Sequence, residues 1–303
     1  MPDALLLLPD FLLIAAGYLI CRHTTLNRPV WEGVERLVYY LLFPSLLFMS
    51  IVRNPLNLQS DVPLAAGGLA VVMTGVMLAY AIKKAPGVDG LLHASGSQTA
   101  FRFNSYVALA MADRLAGPPG VAWMALLVSV CVPVCNIAAV WPLARTGGHG
   151  YARELIRNPL ILATVGGLTC NLLQVQFPEL VKVTLTRAGA AALPLGLMAV
   201  GAGLRLGALN ESPRMAATFL GIRHVVLPGV AMALSLALPL SGPQQLLLVA
   251  FASMPTASSA YVLAVRMGGH GPFVAGIVSV STLVAMAGLP LSLELYRRLS
   301  SVA

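Results

Sequence analysis

The chain has 303 residues, 58% of them apolar (AVILMFWYC) and only 10% charged, with 19 Lys+Arg against 11 Asp+Glu and a formal net charge of +8. A soluble domain carries about 25% charged residues, and a water-facing surface could not hold so much apolar area, so composition argues against a soluble enzyme or a nucleic-acid-binding domain. The positive balance reads instead as basic loops at helix ends, since no run of Lys/Arg exceeds two residues.

A helix needs about 20 apolar residues to cross a bilayer. Spans of that kind are predicted at 4–21, 31–52, 62–82, 95–115, 122–144, 159–174, 183–206, 215–239, 244–266 and 273–295. The first reads as a span rather than a secretory leader, because Met1-Pro2-Asp3 carries no positive charge and no soluble domain follows. The fourth is unusually polar, with Gln98, Thr99, Arg102, Asn104, Ser105, Tyr106 and Asp113. The expected fold class is therefore an all-α polytopic membrane protein of ten transmembrane helices. A polar link at 146–157 separates a first five-helix unit, 1–145, from a second, 158–303.

Lys and Arg in short loops set orientation. Odd-numbered loops hold Arg22, Arg28, Lys83, Lys84, Arg145, Arg153, Arg157, Arg205, Arg214 and Arg266; even loops and the C-terminal end hold Arg53, Arg114, Lys182, Arg187, Arg297 and Arg298. This bias puts both termini outside the cytoplasm and the link inside. Leu42-Phe43-Pro44 answers Ala192-Leu193-Pro194, and Ser105-Tyr106-Val107-Ala108-Leu109 answers Ala260-Tyr261-Val262-Leu263-Ala264. Five helices per unit is odd, so the second unit enters the membrane inverted. Inverted repeats build many secondary transporters, whose sites lie at mid-membrane on discontinuous helices.

The ninth span concentrates chemistry in Ser253-Met254-Pro255-Thr256-Ala257-Ser258-Ser259-Ala260-Tyr261. Proline removes a backbone donor, and in lipid the freed groups must be satisfied locally or line a cavity. The segment reads either as a broken helix whose second half faces an anion or as a kink patched by hydroxyls. In the fourth span Arg102 costs about 3 kcal/mol to bury in a membrane. It either binds a carboxylate through two parallel hydrogen bonds or pairs structurally, and Asn104 suits an opened backbone. Arg223 and His224 of the eighth span pose the same choice, with His224 a candidate for a coupling proton. Asn136 of the fifth span follows Pro133-Val134-Cys135 and fits substrate contact or helix packing.

Asp10 is the only carboxylate well inside a predicted span. Two internal arginines and few acids favour an anionic cargo over a cation. Cys21, Cys131, Cys135 and Cys170 read as small core residues, since zinc needs four ligands and Cys131 and Cys135 have no His or carboxylate nearby in sequence. No phosphate loop, dinucleotide motif or nucleophile elbow is present. No enzyme activity, metal or cofactor is expected, and nucleic acid is not an expected partner.

Four motifs in order, covering nearly the whole chain, resemble the auxin efflux carrier family. They are Arg102-Phe103-Asn104-Ser105-Tyr106, Arg157-Asn158-Pro159-Leu160-Ile161, Leu193-Pro194-Leu195 leading to Gly201-Ala202-Gly203-Leu204, and Ala252-Ser253-Met254-Pro255-Thr256-Ala257 with the Tyr261 segment. The resemblance implies two inverted five-helix repeats. Spans one, two, six and seven would form a scaffold and a homodimer surface, and the others a moving unit. Its broken fourth and ninth helices would cross beside the substrate. Plant members export auxin, an aromatic carboxylate; short bacterial members include malonate and malate carriers, and without a long central loop this chain resembles the bacterial type of the inner membrane. The implied function is a secondary carrier of small organic anions, malonate or a related dicarboxylate first, coupled to protons or sodium. An auxin-like monocarboxylate exporter and a non-transporting receptor are the alternatives. Arg102, Asn104, Ser105, Tyr106, Arg223, Pro255, Thr256, Ser258, Ser259 and Tyr261 are the candidate substrate contacts, with His224 and Asn136 for coupling. One departure stands out: 104–110 contains neither the proline of the plant carriers nor a glycine, so no residue there enforces a break in the fourth helix.

Overall fold

A computed structural model describes residues 3–53, 58–147, 159–204, 211–257 and 259–301. Helices make up nearly all of it: α1 (Asp3–His23), α2 (Arg28–Leu37), α3 (Phe43–Arg53), α4 (Leu58–Ala81), α5 (Gly90–Gly96), α6 (Ser105–Gly147), α7 (Pro159–Leu172), α8 (Glu179–Ala190), α9 (Ala192–Ala202), α10 (Pro213–Gly221), α11 (Leu227–Ala237), α12 (Gly242–Ala252), α13 (Ser259–Arg266) and α14 (Gly271–Ser300). Among the described residues, six helical stretches are long and apolar enough to cross a membrane: Arg28–Arg53, Asp61–Lys84, Ser105–Leu143, Glu179–Ala202, Pro213–Ala237 and Gly271–Ser300. Leu173, Leu180, Val225 and Leu291 are among the large apolar side chains left exposed, as lipid contact requires. The chain is a polytopic helical membrane protein.

Prolines explain most departures from straight spans. A π-helical turn, Val38–Leu42, joins α2 to α3 just before Pro44, and another, Ile222–Val226, joins α10 to α11 just before Pro228. Each proline lacks the N–H that would reach back four residues, and the wider turn takes up the mismatch: Phe43 N–H bonds to the Val38 carbonyl and Leu227 N–H to that of Ile222. Pro194 follows the α8–α9 joint at Ala191, where the helix tightens rather than widens: Ala191 N–H bonds to the Ala188 carbonyl at 3.3 Å. The fourth and fifth predicted spans meet inside α6, where Gly117 (φ 59°, ψ −148°) reverses the chain before Pro118 and Pro119. Only glycine adopts that conformation without strain.

The helices pack in two groups. In the first, α1 crosses α9, and α3 lies on α7 and α8. The α1–α9 crossing is a contact of backbones: a Cβ on Gly17 would stand 1.9 Å from the Met198 carbonyl oxygen, and one on Gly201 1.7 Å from that of Ile14. Small residues allow such approach where dispersion rather than water exclusion drives association. In the second group α4 packs on α6, α11 and α12, and α14 on α12 and α13. The groups touch where Tyr106 of α6 stacks on Phe43 of α3, with ring centroids 4.5 Å apart.

Two predicted spans are interrupted. The fourth runs as α5 and a 3-10 turn (Ser97–Ala100), leaves helical form at 101–104, and resumes at Ser105. The ninth runs as α12, leaves helical form at 253–257, and resumes as α13 at Ser259. Most of the link and the side chain of Asp10 lie outside the described residues. Asp61, placed by sequence at the edge of the third span, is buried and accepts a 3.0 Å hydrogen bond from Gln244 Nε2.

Substituting Gly201→Val should lower stability by about 1–3 kcal/mol, because the backbone of Ile14 cannot yield as a side chain can. The thermal midpoint of detergent-purified protein reads this, and an unchanged midpoint would refute the close α1–α9 crossing.

Candidate functional site: the crossing of two broken helices

The two interruptions meet each other. Phe103 and Thr256 form an isolated antiparallel bridge, and Asn104 N–H donates to the Pro255 carbonyl at 2.8 Å. Thr256 Oγ1 donates to the Thr99 carbonyl at 2.7 Å. Gln98 Nε2 donates to the carbonyls of Ser95 (3.1 Å) and Ala260 (3.2 Å). Phe103 and Phe251 pack edge to face at 4.6 Å beneath the bridge. Thr99, Asn104 and Thr256 are all buried. Each break therefore supplies partners for the backbone groups that the other exposes, which a lipid-embedded chain demands.

Asn104 explains why the fourth span breaks without proline or glycine. Its Oδ1 accepts from the backbone N–H groups of Tyr106 (3.0 Å) and Val107 (3.3 Å), so it caps the start of α6. Its Nδ2 has no partner among the described residues although the residue is only 2% exposed. An unmet buried donor costs about 1–3 kcal/mol and marks a place for a ligand or a water.

The two arginines play different parts. Arg102 is half-buried; Nη1 donates to Gln98 Oε1 at 3.1 Å and Nη2 to Ser259 Oγ at 3.1 Å. It thus spans the two broken segments at an accessible edge. Arg223 is 1% exposed, and donates from Nε to the Met254 carbonyl (2.7 Å) and from Nη2 to that of Phe251 (3.3 Å). Phe251 lies in the last turn of α12 and Met254 two residues past its end, where the helix dipole places partial negative charge. Arg223, a carboxylate-binding candidate by sequence, here stands on a helix C-terminus.

His224 begins a directional chain. Its Nε2 lies 2.8 Å from Ser281 Oγ. Ser281 Oγ accepts from Thr256 N–H at 2.8 Å and donates to Thr256 Oγ1 at 3.2 Å. The Ser281 proton is thereby used, so the network assigns the His224 proton to Nε2. Ser281, Thr99 and Gln98 are crossover residues absent from the sequence-derived candidates. The polar pair Gln98-Thr99 and the run Ser279-Val280-Ser281-Thr282, inside apolar spans, were the available signals.

Other candidates lie further out. Ser105 is the first residue of α6, half-buried. The Tyr106 ring turns to Phe43 and the Gly196 face of α9. Tyr261 packs with Val274 and Val278 of α14 and against Gly271. Asn136 is half-buried on α6, one residue after Cys135, whose Sγ lies 3.6 Å from the Phe101 carbonyl. Ser258 lies outside the described residues. Two clefts are found elsewhere: an apolar one of about 390 Å³ lined by Met73, Tyr80 and Trp141, and one of about 200 Å³ beside Tyr18 and Arg22.

Residues 148–293 match the family described as "Membrane transport protein". A protein of Rhizobium meliloti (strain 1021) named "Putative malonate transporter" is 25% identical over 307 residues, covering 93% of this chain and 92% of its own. A protein of Methanothermobacter thermautotrophicus named "Uncharacterized transporter" is 24% identical over 285 residues, covering 92% and 93%.

Replacing Thr256 by Val keeps the shape and removes the hydroxyl. It should cost about 1–3 kcal/mol, since the Thr99 carbonyl loses its donor inside the fold. Thermal melting checks this, and a Thr256→Ser variant should recover most of the loss.

Proposed function

We propose, from the match of residues 148–293 to the membrane transport protein family, that the chain is a secondary carrier of small organic anions, with malonate or a related dicarboxylate as the leading cargo. The observation that carries this reading is the pair formed by half-buried Arg102 and the unpartnered Nδ2 of buried Asn104 at the crossing of two broken helices. A guanidinium and an amide N–H are the donors that a carboxylate needs. The hydrogen bonds around them come from amides, hydroxyls and backbone carbonyls. Among the acids whose side chains are described, Asp61, Asp89, Glu179, Glu211 and Glu294 sit towards helix ends, Asp113 lies four residues before the kink at Gly117, and Glu32 and Glu35 of α2 pair with Arg28. The name of the Rhizobium relative supports malonate as the first compound to test.

The architecture we propose is ten crossings in two inverted repeats, 1–145 and 158–303, joined by the link at 146–157. The breaks in corresponding spans support it. Spans one, two, six and seven form the scaffold, in line with the packing of α1 on α9 and of α3 on α7 and α8, and offer a homodimer surface. The remaining spans move against it, so that the crossover opens to one side at a time. Arg102, Asn104, Ser259 and Thr256 serve the cargo, with Ser105 and Pro255 beside them, Tyr106 and Tyr261 on the flanks, and Ser258, outside the described residues, kept as a candidate from sequence. Arg223 holds the end of α12. His224 and Asn136 stay candidates for coupling to protons or sodium. Both termini face the periplasm from a bacterial inner membrane.

Two experiments test this. In proteoliposomes loaded with the purified chain, Arg102→Gln should raise the KM for malonate by at least about tenfold, equal to about 1.4 kcal/mol, while Arg102→Lys keeps part of the affinity; equal KM for all three would sink the site. A reporter fused after Ala303 that works only in the periplasm should be active, and activity solely of a cytoplasmic reporter would reverse the orientation.

A further inference from the structure

From the unequal placement of the two arginines we infer that the cargo is bound and carried as a monoanion: a monocarboxylate, or a dicarboxylate with one carboxyl protonated. This rests on the carrier reading above and specifies the charge state that the same site accepts.

The crossover contains two guanidinium groups, but they are not equivalent. Arg102 is half-buried, and the Ser259 hydroxyl on which Nη2 rests is itself exposed. A carboxylate arriving at that edge can take the place of Ser259 while Nη1 stays on Gln98 Oε1. Gln98 is fully buried, and its own amide nitrogen is fixed by the Ser95 and Ala260 carbonyls, so it holds Arg102 in place as a neutral acceptor. Arg223 offers no second docking point of this kind. It is 1% exposed and bonded to the Met254 and Phe251 carbonyls. The C-terminal end of α12, which it faces, carries about half a negative charge that offsets it.

Among the described residues, the other titratable groups around the crossover are His224, on the π-helical turn beside Arg223, Cys135 of α6, and the flanking phenols of Tyr106 and Tyr261, which are neutral or anionic and never cationic. His224 donates from Nε2 to Ser281, a bond that neutral imidazole makes, and the charge of the neighbouring Arg223 opposes a second cation there; the Cys135 thiol, which lies on the Phe101 carbonyl, carries no positive charge in any form. Asn104 Nδ2, buried and without a partner among the described residues, is a further donor at the crossover and is neutral.

A dianion would therefore have one carboxylate on Arg102 and leave the other charged and desolvated against neutral donors. Charge without a partner in a low-dielectric site is strongly disfavoured. Protonating that carboxyl instead requires only the local pH to approach its ionisation. The neutral carboxyl can then accept from Asn104 Nδ2 and donate to the Ser259 hydroxyl that Arg102 released. A protonated dicarboxylate carries its proton across with it, so pH-dependent uptake would need no titrating residue in the protein.

The test is uptake of labelled malonate into proteoliposomes carrying the full chain, over a pH series, with malonamate (the half-amide, a fixed monoanion) as competitor. The KM expressed on total malonate should rise by about tenfold per pH unit once the second carboxyl ionises. The KM recalculated for the monoanion, and the inhibition constant of malonamate, should stay constant. The constant value for malonamate separates cargo protonation from titration of His224. Arg102→Gln, with its folding checked by thermal midpoint, should weaken malonate and malonamate by the same factor. A total-malonate KM that is flat or falls with rising pH overturns the inference, as does malonate transport that malonamate does not inhibit; in both cases saturable malonate flux leaves the carrier reading standing. A loss on Arg102→Gln confined to malonate also overturns it. Absence of saturable flux and of competition by either anion defeats the carrier reading and the inference together.

Discussion

Everything at the centre of this protein follows from one requirement: backbone N–H and C=O groups released inside a membrane must find partners within the protein. Breaking one helix at mid-span would leave several such groups in lipid. Breaking two and crossing them lets each satisfy the other. The Phe103–Thr256 bridge, the Asn104 N–H on the Pro255 carbonyl and the Thr256 hydroxyl on the Thr99 carbonyl are the terms of that exchange. The result is irregular backbone held at the core of a helical membrane protein, with polar donors arranged around it.

The same requirement assigns the cations. A half-helix that stops inside the fold leaves carbonyls at its end in need of donors, and Arg223 supplies donors to the Phe251 carbonyl in the last turn of α12 and to the Met254 carbonyl just past it. In the other broken span, the start of α6 is capped by Asn104 Oδ1. These residues maintain the broken geometry. Arg102 lies at the rim, bridging Gln98 and Ser259, and retains partial exposure. The fold thus gives different surroundings to two arginines that sequence alone presents as equals.

Much of the helical plan was legible. The apolar runs mark the spans because length and hydropathy suffice to define a crossing, and Pro44, Pro194, Pro228 and Pro255 each coincide with a π turn, a joint or a break. The break at 101–104 was not legible in the same way. Nothing in 104–110 forbids a helix, and the interruption depends on hydrogen bonds to residues about 150 positions away. Gln98 and Ser281 were overlooked for a related reason: a buried polar residue acquires a role only from the partner placed opposite it, and neither partner is close in the chain.

The sequence by itself determined a polytopic helical membrane protein and showed where polar residues gather, in the predicted fourth, eighth and ninth spans, because lipid selects apolar length and tolerates few internal charges. Only the tertiary structure decided that Arg223 stands on carbonyls while Arg102 faces an accessible edge. A guanidinium has donors for either task, and which one it performs depends on what the fold brings within about 3 Å of it.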